Sequence, residues 1–224
     1  MKKKGKKFSN FLSFIIIITI IAALVLVGWF GYESYDKYET QKRAEEIIDT
    51  FDKNVEEKII EEELQRKNEE ELAKGGDNVK TRRRSARTDY TTRYDDCIVV
   101  GTIRIPAINI KYPIMQEQSV EGLKIGVAIA YGPGVNQIGN TVILGHNYRN
   151  GTLFAKIGKL TKGKSIFIKD ETGQEIEYKV YKVFSAKDND SSFYSATYEG
   201  KREITLSTCN KDGSARTIVQ AVEK

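Results

Sequence analysis

Three residues in this chain have the types that nucleophilic acyl chemistry needs: Cys209, Arg216 and His146. Cys209 closes a β-branched run that starts at Glu203 and includes Ile204, Thr205 and Thr208. Arg216 stands just before a second such run, which holds Ile218, Val219 and Val222. Between the runs, Asn210, Lys211, Asp212, Gly213 and Ser214 are residues that tolerate tight or left-handed turns. The pattern predicts a hairpin over residues 203–222, with a cysteine where one strand ends and an arginine where the next begins. Residues that flank such a loop face each other across roughly 4.5–5.5 Å between Cα atoms. A thiol beside a fixed positive charge favours the thiolate, the nucleophilic form. His146 is the single histidine and ends the apolar run TVILGHN at 141–147, so any cysteine–histidine pair must use it. Taken one at a time, each residue has a plain reading: a satisfied polar group, a small buried hydrophobe, a solvated strand end. Only their combination carries chemistry.

The segment Thr205-Leu206-Ser207-Thr208-Cys209, with Arg216 after a short loop and Gly145-His146 at a strand end, resembles the sortases, the cysteine transpeptidases of Gram-positive cell surfaces. The resemblance runs from about Gly101 to the C-terminus. It takes in Ile103-Arg104-Ile105-Pro106, Tyr112-Pro113-Ile114, Gly139-Asn140, and the stretch FAKIGKL at 154–160 followed by Gly163. It implies Cys209 as nucleophile, His146 as its acid–base partner, and Arg216 with a backbone N–H as holder of the oxyanion. Ser207 and Thr208 are weaker candidates for lining the substrate groove. It implies no cofactor. The substrate would be a Leu-Pro-x-Thr-Gly-like sorting signal cut between Thr and Gly, and the acyl group would pass to an amine of the peptidoglycan precursor. On subclass the wording is divided. Tyr112-Pro113-Ile114-Met115-Gln116 and Leu-Ser-Thr-Cys lean toward class B, whereas the segment between Ser185 and Glu203 is short for the helical insertion of that class. Two other functions fit an exported domain of this kind: a non-catalytic adhesin or scaffold, and a cysteine peptidase that gives its acyl group to water.

The elements that must position these residues are strands. Residues 97–105 and 108–115 read as two strands broken at Pro106, residues 126–130 as a third, and 141–145 as a short buried one. Residues 165–169 and 175–185 read as a hairpin, before the terminal hairpin. About eight short strands with punctuating turns and little helix indicate an all-β barrel or sandwich, and the resemblance implies an eight-stranded barrel. Residues 151–157 read as a turn of helix.

Upstream, five lysines within residues 1–7 precede residues 8–32, which carry no charge. About 20 apolar residues span a bilayer, and the lysine bias puts the N-terminus in the cytoplasm and the rest outside. Residues 33–76 are dense in Glu and Lys, with Ala44, Ile47, Ile48, Phe51, Val55, Ile59, Ile60 and Leu64 at helical spacing. They predict a helical stalk, whose stripe either pairs with a second copy or lies against the domain, and which Gly75-Gly76-Asp77-Asn78 stops. Residues 77–93 hold five arginines and read as a basic linker, leaving 94–224 as the catalytic domain. A net charge of +5, spread over anchor, linker and domain, gives no nucleic-acid footprint. Two separated cysteines and one histidine show no zinc spacing, and one bridge between Cys97 and Cys209 would not make a disulfide scaffold. Asp188 and Asp190 alone make a poor calcium site.

Overall fold

The structure, a computed structural model, describes residues 3–73, 88–210 and 213–224. The chain divides into two compact units, Met1–Glu39 and Thr40–Lys224.

Helix α1 (Lys3–Ala73) begins in the first unit. There its apolar side chains, Phe11 through Phe30, are exposed on every face, and the helix reaches a mean hydropathy of 3.0 over 18 residues. A helix apolar all round needs an apolar surrounding. This one is long and apolar enough to cross a membrane, and it is consistent with a single-pass anchor.

In the second unit, eight strands close into a barrel. They are β2 (Cys97–Ile105), β3 (Ile110–Met115), β4 (Val127–Tyr131), β5 (Gly139–Leu144), β6 (Ser165–Asp170), β7 (Glu175–Lys187), β8 (Arg202–Cys209) and β9 (Ala215–Glu223). Their spatial order is β2-β3-β4-β5-β8-β9-β7-β6, and antiparallel pairing of β6 with β2 completes the circle. A two-residue strand, β1 (Arg93–Tyr94), lies outside β2. The all-β, eight-stranded expectation therefore holds, and closure leaves the barrel itself without a free edge. Alternate residues point inward, as the pleat requires. Ile103, Ile105, Ile114, Ile143, Leu206, Val219, Ile166 and Ile168 are all fully buried in one core. Two neighbouring pairs are parallel, β3 with β4 and β5 with β8, and the second of these builds the candidate site. The helical turn expected at 151–157 is a 3-10 turn at Ile157–Lys159. Another, Ser192–Tyr194, interrupts the connection between β7 and β8.

The stalk's apolar stripe lies against the domain over its first three turns. Ala44, Ile47, Phe51 and Val55 are buried in the same cluster as Cys97 and Val99 of β2. Lys169 Nζ reaches Asp52 Oδ1 at 2.9 Å, and Asn54 Nδ2 donates to Thr92 Oγ1 at 2.9 Å. Farther along, Ile60 and Leu64 remain exposed. The expected stop at Gly75-Asn78 and most of the basic linker fall outside the described residues. Residues 88–93, which composition assigned to the linker, are bound: Thr92 is buried, and Tyr90 donates its hydroxyl to Glu61 of α1. Composition cannot show partners that the fold supplies.

Candidate active site

Cys209 is the last residue of β8, and the β8–β9 register sets it opposite Arg216, as the hairpin pattern predicts. The next pair out is Asn210 and Ala215, where the Asn210 N–H donates to the Ala215 carbonyl at 2.7 Å. In an antiparallel ladder the positions alternate, so Cys209 and Arg216 occupy a non-hydrogen-bonded pair, the kind in which side chains come closest, at about 4.5 Å between Cα atoms. Arg216 does not hang free: its Nε donates to Asp188 Oδ1 at 3.1 Å. Asp188 is the first residue beyond β7. It reaches Arg216 because β7 runs antiparallel to β9 with Ala186 opposite Arg216.

His146 arrives from the other side of β8. The parallel β5–β8 register ends with Leu144 beside Ser207, and two further residues along each strand bring His146 level with Cys209. Three hydrogen bonds fasten this extension. The Gly145 N–H donates to Ser207 O at 3.2 Å, Thr208 Oγ1 donates to Gly145 O at 2.7 Å, and Asn147 Nδ2 donates to Cys209 O at 2.8 Å. From below, the Phe154 N–H donates to His146 O at 3.0 Å, and Asn147 bridges to Leu153. Gly145 is required here, because a Cβ on it would stand 2.7 Å from the Phe154 ring. The imidazole lies against Tyr148, with ring centroids 5.0 Å apart. Cys209 and His146 are both exposed, and both cysteines are free thiols. Cys97 is buried, with Sγ 2.7 Å from Ser119 Oγ.

A groove leads to this rim along the outer face of the barrel. Beneath it Val142, Ile218 and Ala186 form a buried apolar cluster with Phe193 of the β7–β8 connection, against which Leu144, Phe184 and Tyr194 pack. A cavity of about 360 Å³ opens there, lined by Ala130, Leu144, Phe193, Tyr194, Asp188 and Arg216 among others. The Tyr194 ring stacks edge-on against Tyr131 at 5.2 Å. Ser207 shares the groove face with Cys209 by strand alternation. Its buried hydroxyl has no hydrogen-bond partner among the described residues. Thr208 faces the other way and spends its hydroxyl on Gly145 O, so the structure gives it a fastening role in place of a groove contact.

Of the expected residues, the structure brings Cys209, His146 and Arg216 to one rim, with Ser207 just below. From the sequence Asp188 counts only as a poor cation ligand, and neither Asn147 nor the Phe193-Tyr194 wall stands out. A signal existed for the wall alone, in the aromatic pair itself.

Comparison with known proteins fits this geometry. The family model for the sortase domain matches residues 103–224. Sortase A of Listeria monocytogenes is 29% identical over 119 residues, covering 53% of this chain and 52% of that protein. Sortase D of Bacillus subtilis is 31% identical over 112 residues, covering 49% and 53%. The chain thus spans about half the length of the curated relatives it matches. Among solved structures, a lid mutant of sortase A from Corynebacterium diphtheriae superposes with a TM-score of 0.51 at 26% identity, over 58% of this chain and 72% of that one. The match to the sortase domain extends over more than half of the chain, through the barrel strands that carry the rim, and the chain belongs to the sortase family, whose members are cysteine transpeptidases.

Proposed function

We propose that this protein is a membrane-anchored cysteine transpeptidase that cuts a Leu-Pro-x-Thr-Gly-like sorting signal between Thr and Gly and joins the acyl part to an amine of the peptidoglycan precursor. The observation that carries the reading is the meeting of His146 and Arg216 on either side of Cys209, one through a parallel pairing and the other through a hairpin. Cys209 Sγ attacks the threonine carbonyl carbon while His146 holds the thiol proton. The carbonyl oxygen becomes an oxyanion beside the Arg216 guanidinium. When the C–N bond breaks, His146 returns the proton to the departing glycine amine, leaving a thioester on Cys209. An incoming amine attacks the thioester, gives up a proton to His146, and the sulfur leaves. The cavity lined by Ala130, Leu144, Phe193 and Tyr194 beside Arg216 suits the leucine and proline of such a signal.

The test is cleavage of a panel of quenched Leu-Pro-x-Thr-Gly-like peptides by the full chain in detergent, with and without triglycine, followed by mass spectrometry. Cleavage after Thr with triglycine joined to the new end is the expected result, lost in Cys209→Ala. Cleavage without triglycine joining would make the protein a peptidase that uses water. An uncut panel together with a Cys209 that resists alkylation in the folded protein would favour the scaffold.

A further inference from the structure

Resting on that reading, we propose that Asp188 is a positioning residue, which holds the Arg216 guanidinium beside Cys209 so that its remaining N–H groups meet the oxyanion. Two observations lead there. The first concerns the donors available at the rim. The amide that follows the nucleophile, Asn210 N–H, is committed to Ala215 O at 2.7 Å as the closing bond of the hairpin. Asn210 is committed through its side chain as well, with Oδ1 accepting from Thr217 Oγ1 at 2.7 Å. An oxyanion formed on a Cys209 adduct therefore depends on the guanidinium more than it would with that amide free. The second concerns the guanidinium itself, which is planar and presents five N–H donors in a fork. Asp188 takes the one on Nε, at 3.1 Å. That bond fixes the plane about the Cδ–Nε axis and, among the described residues, leaves the four donors on the two Nη atoms for another acceptor.

The placement of Asp188 suits this task and little else. Its side chain is 63% exposed and that of Arg216 is 30% exposed. An ion pair so open to water adds little to stability, so its removal leaves the fold standing. Both residues line the 360 Å³ cavity, and the carboxylate approaches from the β7 side, away from the β8 strand that carries the nucleophile. The arrangement is a strut: β7 supplies the carboxylate, β9 the arginine and β8 the sulfur.

The experiment uses the full chain in detergent, with two readouts. In the first, peptide cleavage is measured with the panel above. Asp188→Ala is expected to lower kcat by roughly tenfold to a hundredfold, the range a misplaced catalytic group costs, with KM within about twofold. Asp188→Asn, which keeps an oxygen acceptor for Nε, recovers most of the loss. In an Arg216→Ala background, Asp188→Ala changes nothing further. Losses that multiply, or an unchanged kcat in Asp188→Ala, overturn the proposal. The second readout needs no substrate. Exposed Cys209 is modified with an anionic and with a neutral methanethiosulfonate reagent, and the rate ratio is read at that residue by mass mapping. Merely deleting a carboxylate near a thiol would raise the preference for the anionic reagent. Releasing the guanidinium lowers it, by about threefold for one charge a few ångström away in a watery site. A fall in Asp188→Ala supports the strut, and a rise or no change refutes it. If the wild type cuts no peptide yet the ratio falls as expected, the substrate reading has failed and the positioning stands.

Discussion

Gly145 has no room for a methyl group, and it sits one residue before the candidate base. An added Cβ would lie 2.7 and 2.8 Å from two carbons of the buried Phe154 ring and 2.9 Å from Val127 Cγ1. None of these is the loose end of a flexible chain. Gly145→Ala is expected to cost about 1–3 kcal/mol by overpacking and to push His146 away from Cys209. Chemical denaturation would register the first effect, and a fall in kcat/KM without loss of Cys209 alkylation the second. Thr208→Val keeps the volume but leaves the buried Gly145 carbonyl without the 2.7 Å bond from Oγ1. That is worth about 1–3 kcal/mol, to be read as a lower denaturation midpoint with unchanged slope. At this scale the sequence was informative where chemistry restricts residue type. One histidine and an exposed-end cysteine left few choices. Asp188 was not legible, because its partner depends on how β7 and β9 align, and nothing local to Asp188 states that register.

Among the elements, the β7–β8 connection that roofs the groove is held from beneath by a buried carboxylate. Glu203 on β8 accepts the N–H groups of Thr197 and Tyr198 on Oε1, and the Tyr181 hydroxyl on Oε2 at 3.0 Å. Burial first of all, with the bond to Thr197 opposing it and the bond to and charge of Glu203 adding to it, pushes the Tyr181 phenol up from 10.0 to about 12. The sign follows from which state keeps the proton. Up to about pH 10 both folded and unfolded chains are protonated there, and the contribution is whole. Between 10 and about 12 the unfolded chain ionises first, and stability drains away. Melting temperatures measured from pH 9 to 12.5 should fall more steeply in the wild type than in Tyr181→Phe, and parallel curves would contradict this. The strands were readable in advance from β-branched runs and turn residues. The short 3-10 turn at Ser192–Tyr194 was not, since its two aromatic rings are ordered by the barrel face they cover and by no periodicity of their own.

For the molecule as a whole, the domain boundary lies earlier than composition suggests. The stalk's residues 44–55 belong to the barrel's core, and the second compact unit begins at Thr40. Phe51 is 2% exposed, and Phe51→Ala should cost about 3–5 kcal/mol in unfolding free energy. A fragment starting at Thr40 should melt in one cooperative transition, whereas one starting at residue 88 bares Cys97 and Val99 and should melt lower or aggregate. The helical spacing of the stripe was plain in the sequence; what it packs on was not, because a stripe specifies an apolar partner without naming it.

The two pairings that meet at Cys209 differ in how far the chain must travel to make them. Cys209 and Arg216 are joined by a seven-residue hairpin step, while His146 reaches Cys209 only after 62 intervening positions have folded into place. Closing a long loop is slower and comes later than closing a short one. A folding chain thus pairs its thiol with an arginine early and gains the histidine last, so proton transfer is withheld until the barrel is shut. Pulse-labelled hydrogen exchange during refolding would see this order as β8–β9 amides protected before those of β5, and simultaneous protection would remove the safeguard.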